Sequence, residues 1–167
     1  MQRFMPGLLV LSLLLAEVTV ASPEQVVESF HKVLISAMQA TTDETRRAIV
    51  DEAINNHFQV HTIARISLGR NWRTLQSDEQ SDYMALMEEL ISTTYASRFD
   101  KFDNQTFIVM SSSPIASNRA RVKSILNTKS ELVNLDYQLQ FSEESWRIYD
   151  IVANGVSDLS LKRSNYA

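Results

Sequence analysis

The 167-residue sequence has no cysteine, three glycines and three prolines, and each shortage removes a class of function. Without Cys there is no disulfide framework, no thiolate metal site, no thiol nucleophile and no lipid-modified N-terminal Cys. Three glycines leave almost nothing for a phosphate-cradling loop, and neither the P-loop nor the dinucleotide-binding glycine pattern occurs. A basic excess is also missing. The formal charge is −4, which argues against a nucleic-acid binder. Apolar residues make up 44% and charged residues 22%, a balance that fits a packed core and excludes wholesale disorder.

Long hydrophobic runs are absent except at the N-terminus. Met1-Gln2-Arg3 is a short positive start, and the stretch from Phe4 to Ala16 is almost wholly apolar. That run is too short for a bilayer span, which needs roughly 20 residues. Thr19-Val20-Ala21 supplies small residues at the two positions a signal peptidase reads, so residues 1–21 are expected to be a signal peptide cleaved after Ala21. Residues 22–167 then form the single mature domain. An exported chain without Cys fits a bacterial periplasm.

The mature chain divides into a helical half and a strand half. Ser22-Pro23-Glu24-Gln25 reads as a capping box, followed by Val26, Phe30, Val33, Leu34 and Ala37 at helical spacing. A second helix is predicted from Thr42 to about His57, with Ile49, Val50, Ala53 and Ile54 as its stripe. A short helix over His61–Ser67 stops at Gly69. Ser77-Asp78-Glu79-Gln80 is a second capping box, opening the longest helix with the stripe Tyr83, Met87, Leu90, Ile91, Thr94 and Tyr95. After Asp103 the period becomes 2. Short strands are predicted over Phe107–Met110, Arg121–Asn127, Leu132–Phe141 and Trp146–Val152, the first ended by Ser111-Ser112-Ser113-Pro114. In the third, Val133, Leu135, Tyr137, Leu139 and Phe141 alternate with Asn134, Asp136, Gln138 and Gln140, a sheet with one dry and one wet face. Helices first and a meander after make the fold class α+β.

Candidate catalytic groups are few. His57 and His61 are four apart, but Phe58-Gln59-Val60 between them is not the HExxH pattern and they straddle a helix break, so no metal site is expected. No nucleophile elbow surrounds any serine. By alternation Asp150 shares a face with Trp146, Ile148 and Val152. It reads either as a general base of a small isomerase or dehydratase, or as a structural acid held by backbone amides or an Arg near the Asn154-Gly155 turn. The second reading is favoured because no partner acid or base can be assigned. Met84, Met87, Phe99, Phe102, Phe107, Met110, Tyr137 and Phe141 either fill a core or line an adaptable apolar cavity. A protein with a solid core would be a ligand-free periplasmic adaptor.

Leu68-Gly69-Arg70-Asn71-Trp72-Arg73, Glu79-Gln80, Thr94-Tyr95-Ala96-Ser97-Arg98, Trp146-Arg147-Ile148-Tyr149-Asp150-Ile151 and Gly155-Val156-Ser157 resemble, in this order and spacing, the MlaC family of toluene-tolerance proteins. A branch associated with hopanoid biosynthesis is similar as well. The resemblance covers about Val26 to Arg163. It implies N-terminal helices on a curved antiparallel sheet of about four strands, enclosing an apolar cavity for phospholipid acyl chains. It implies a non-enzymatic periplasmic carrier without metal or cofactor, and no nucleic-acid partner. The implied partners are an inner-membrane ABC transporter with an MCE-domain ring and an outer-membrane lipoprotein–porin complex, acting together in outer-membrane lipid asymmetry. Leu90, Tyr95, Phe107, Val133, Leu135, Tyr137, Leu139, Trp146 and Ile148 are the residues expected to meet lipid. The sequence departs from the pattern at two places. Gln138 stands where the family often has Arg, and only four residues follow Arg163, where relatives usually continue into a further helix. Too short for a stable helix, this end is expected to leave the cavity more open.

Overall fold

The computed structural model describes residues 20–167, so the expected signal segment 1–21 lies, but for its last two residues, outside the described residues. No helix among those described is long and apolar enough to cross a membrane. The order is α1 (Pro23–Met38), α2 (Asp43–His57), α3 (Val60–Leu68), a 3₁₀ segment (Gly69–Thr74) and α4 (Ser77–Arg98), then β1 (Thr106–Ala116), β2 (Arg119–Asn127), β3 (Leu132–Ser142), β4 (Ser145–Ala153), β5 (Val156–Ser157) and α5 (Asp158–Tyr166). The five strands form one antiparallel meander in chain order. The α+β class is as expected, with a fifth, two-residue strand added.

Local chemistry accounts for most boundaries. Ser22 Oγ accepts from Gln25 N–H while the Gln25 side chain accepts from Ser22 N–H, closing the box at α1. Thr42 caps α2. At α4 the cap sits one residue earlier than the sequence suggests: Gln76 N–H donates to Glu79 Oε2 at 2.7 Å. Gly69 takes φ of +57°, which ends α3 at a cost only Gly avoids. Asn154 and Gly155, both at positive φ, make the tight turn that adds β5.

Three differences from the sequence reading have clear causes. First, β1 runs through Ser111-Ser112-Ser113-Pro114 to Ala116 instead of stopping at Met110. It pairs only with β2, and an edge strand is where Pro is tolerated, while bulges at Val109/Ser111 and Pro114/Ala116 absorb the irregularity. Second, the last residues do form a helix. Ser157 Oγ accepts from Ser160 N–H, and Leu159 is buried, so α5 gains a cap and a docking side chain that an isolated segment lacks. Third, β4 carries a bulge at Tyr149. Leu139 pairs with Ile148 but Gln138 with Asp150, so alternation is reset and Ile148 and Ile151 share one face while Asp150 takes the other.

The inner face of the sheet carries Ala120, Val122 and Ser124 of β2, Leu135, Tyr137 and Leu139 of β3, and Ile148 and Ile151 of β4. Helix α1 packs on β1, β2 and β4, and α2 joins α1 to α4. The buried face of α1 is Val27, Phe30, His31, Leu34, Ala37 and Met38, rotated slightly from the expected stripe; Val26 and Val33 are half-buried beside it.

Candidate functional site

The interior between α1, α4 and the sheet is built from aromatic rings. Phe30 of α1 meets Tyr95 of α4 at 5.5 Å, Tyr95 stacks on Phe99 at 5.8 Å, and Phe99 meets Phe107 of β1 at 6.2 Å. Phe107 stacks on His31 at 4.4 Å, His31 meets Tyr137 of β3 at 5.3 Å, and Tyr137 returns to Phe30 at 6.4 Å. These contacts close a circle. Phe58 lies against both Phe30 and Tyr95. Such tilted and edge-on pairs add to the value of the buried area itself.

Three polar side chains belong to this circle, His31, Tyr95 and Tyr137. His31 Nε2 lies 3.0 Å from the Tyr137 hydroxyl. Burial pushes His31 down to about 4 and lifts the Tyr95 and Tyr137 hydroxyls above their ordinary range, so all three are neutral at neutral pH. Ser124 Oγ on the neighbouring strand is buried without a hydrogen-bond partner. The interior is therefore uncharged, with a few hydrogen-bonding atoms.

The low value for His31 sets a pH dependence. The unfolded chain takes up a proton at this residue near the usual 6.5, whereas the folded protein refuses it until about 4. Stability from this group is full above about pH 6.5 and is lost as pH falls through that window, by on the order of 3 kcal/mol. Urea unfolding at about pH 7 and about pH 4.5 is expected to show the loss, with His31→Phe losing less. Equal losses in the two proteins would assign the effect to other groups.

The circle reaches the surface at one seam. Between α1 and the start of β1 lies a groove of about 550 Å³, within the size range of small-ligand sites. Ile35, Phe102, Phe107, Ile108 and Val109 form its apolar walls and His31 part of its floor, with Glu28 and Lys32 on α1 beside them. Phe107 and His31, stacked on each other, thus stand between groove and interior. A cleft between α2 and α4 differs in kind: Arg47 donates to Asp51 Oδ1 and to Thr93 Oγ1, each at 2.7 Å, beside Glu88 and Glu89.

Of the residues expected to meet lipid, Tyr95, Phe107 and Tyr137 are members of the circle. Val133, Leu135, Leu139 and Ile148 lie on the same sheet face, and Leu139 and Ile148 are fully buried. Trp146 lies on that face too, at the β3–β4 hairpin, half-buried against the core and pairing with Phe141 at 5.3 Å. Leu90 is exposed, because α4 turns Met87, Ile91 and Tyr95 inward and its neighbour away. His31 was not anticipated as a site residue. Its signal is its place between Val27 and Leu34, on the α1 stripe, where a polar ring must be buried.

The remaining candidates are structural. Asp150 accepts from Ser157 Oγ at 2.7 Å and from Leu159 N–H at 3.0 Å, and the Gln138 amide donates to it at 3.4 Å. It secures the start of α5 from the outer face, and the bulge at Tyr149 keeps it away from Ile148, against the expected shared face. Gln138 also accepts from the Tyr149 hydroxyl at 2.9 Å, so here the Gln replacing an Arg is bound into the same network. His57 and His61 belong to different helices. His57 bonds Ala53 O and Ser29 Oγ, while His61 lies edge-on to Trp72.

A sheet face and two helices enclose an uncharged aromatic interior, with an apolar groove at one seam. The family model described as "MlaC protein" matches residues 24–167, and the chain belongs to that family. Its fold is similar to that of a phospholipid-binding protein from Ralstonia solanacearum solved in complex with a phospholipid, at a TM-score of 0.77 and 22% identity over 87% of this chain and 85% of that one.

Proposed function

We propose that this protein is a periplasmic carrier that binds phospholipid by its acyl chains between α1, α4 and the inner sheet face. The observation that carries the reading is the aromatic circle adjoining the α1–β1 groove in a chain of the MlaC family. The groove is the entry, and separation of Phe107 from His31 admits a chain to the interior. Two acyl chains of about 16 carbons, at ~0.8 kcal/mol per methylene, cost on the order of 25 kcal/mol to expose to water. A carrier must offer comparable apolar surface so that exchange with a bilayer stays near balance. The uncharged interior supplies such surface, and the His31–Tyr137 pair offers hydrogen bonds to an ester group. The solved phospholipid complex of similar fold supports the ligand class.

In this reading residues 1–21 direct export and are removed. The carrier then moves lipid between an inner-membrane ABC transporter with an MCE-domain ring and an outer-membrane lipoprotein–porin complex, contributing to outer-membrane lipid asymmetry. Such a carrier needs no catalytic group of its own, because direction comes from ATP hydrolysis by the transporter. Leu90, exposed on α4, is not assigned to the lipid wall.

Native mass spectrometry of the purified protein, with extraction of what it holds, tests the proposal. Co-purified phospholipid is the expected result. A hopanoid-related lipid would change the ligand, and an empty protein would favour an adaptor. Leu135→Glu places a charge on the inner face and is expected to lower retained lipid severalfold while most secondary structure survives. A folded Leu135→Glu protein with its full lipid load would remove that face from the acyl wall.

A further inference from the structure

The outer face of the sheet is unlike the rest of the molecule. Arg119, Arg121 and Lys123 alternate along β2 and so project from that one face. The chain as a whole carries a charge of −4, yet these three cations stand together. The ion pairs among the described residues are Arg46–Asp43, Arg47–Asp51, Lys129–Asp103 and Lys162–Asp158; none involves the β2 cations. Asp136, opposite Lys123, is the acid that faces them from β3, and Asp150 on β4 is engaged with Ser157 and Leu159. Arg119 lies over the Tyr149 ring at 5.2 Å, and the buried Arg121 Nε has no hydrogen-bond partner.

Exposed aliphatic side chains lie on or beside this face. Ile108 pairs with Ile125, in line with the cations, and Met110 and Ile115 occupy the two bulges of β1 opposite Lys123 and Arg119. They are 50%, 59% and 45% exposed. Leu132, opposite Asn127, is exposed on the same side. A β-strand partner is a poor fit: the two bulges and Pro114 break the edge of β1 against strand addition. Cations interleaved with exposed aliphatics suit a different surface, one that is anionic at the top and apolar just beneath.

We propose that the β1–β2 outer face docks the protein on an anionic phospholipid membrane, with Arg119, Arg121 and Lys123 at the headgroups and Met110 and Ile115 among the upper acyl segments. Charge complementarity selects this occupant. Ile108 belongs both to this face and to the α1–β1 groove, so docking brings the groove mouth to the bilayer. The proposal goes beyond lipid carriage and, Ile108 apart, stands on surface residues that the carrier reading does not use.

Vesicle co-sedimentation of the whole mature protein tests it, using phosphatidylglycerol–phosphatidylcholine vesicles against phosphatidylcholine alone. Binding is expected to the anionic vesicles and to vanish as salt is raised toward ~1 M. Each cation removed is expected to weaken partitioning about fivefold, so Arg119→Gln/Arg121→Gln/Lys123→Gln loses on the order of 100-fold. Met110→Ser/Ile115→Ser provides a second variant, expected to weaken binding with all cations intact. Binding that ignores lipid charge, a triple variant that binds like the parent, or no vesicle binding at all would each overturn the proposal. The last result would leave the face to an acidic protein. Lipid content of the same preparations is measured in parallel. A triple variant that keeps its lipid but leaves the vesicles places the loss in docking, whereas a lipid-free parent that still docks would sink the carrier reading alone.

Discussion

Phe30→Ala is expected to lower the folding free energy by about 4–5 kcal/mol, the upper end of what deleting a buried aromatic costs. Phe30 is wholly buried and touches the rings of His57, Phe58, Tyr95 and Tyr137. Its removal takes away transfer energy, leaves a void that α1 and the sheet cannot close together, and ends four ring contacts worth about 0.5–1.5 kcal/mol each. Domains of this kind have about 5–15 kcal/mol in total, so a large share of the variant is expected to unfold at moderate temperature. Denaturant midpoints with an unchanged slope measure the loss. A cost below about 1 kcal/mol would mean that the interior is loosely filled and that the aromatic circle holds little of the fold together.

Trp72→Ala is expected to cost about 3–5 kcal/mol by the same mechanism but with a different functional result. Trp72 follows Gly69 in the 3₁₀ segment, is 6% exposed, and lies between His61 of α3 at 5.6 Å and Tyr83 of α4 at 6.4 Å. Gln80 Nε2 donates to its carbonyl at 3.1 Å. The ring therefore docks α3 to α4 and belongs neither to the aromatic circle nor to the groove. Lipid retained per folded molecule should stay near the parent value while the melting temperature falls. A variant that melts normally would place Trp72 in contact with something outside the chain. One that loses lipid while folded would extend the binding site to the α3–α4 side.

Elements that depend on near neighbours are legible in the order of residues alone. The capping box at Ser22, the stop at Gly69 and the strict alternation from Val133 to Phe141 are local signals, and each led to the right element. The aromatic candidates Tyr95, Phe107 and Tyr137 were legible for the same reason, since their spacing put them on dry faces. Tertiary structure decided whatever turns on contacts distant in the chain. The edge position of β1, with neighbours on one side alone, lets it run on through Pro114. The carboxylate of Asp150 and the burial of Leu159 hold α5, a segment too short to persist alone. One extra residue at Tyr149 sends Asp150 to the outer face, and a bulge has no reliable mark in an alternating pattern. His31 became part of the interior only when α1 lay across the sheet, bringing Phe107 and Tyr137 against a ring 106 residues away from the hydroxyl it meets. Local propensity is read from adjacent residues, whereas burial, pairing and protonation are set by whatever the fold packs beside them.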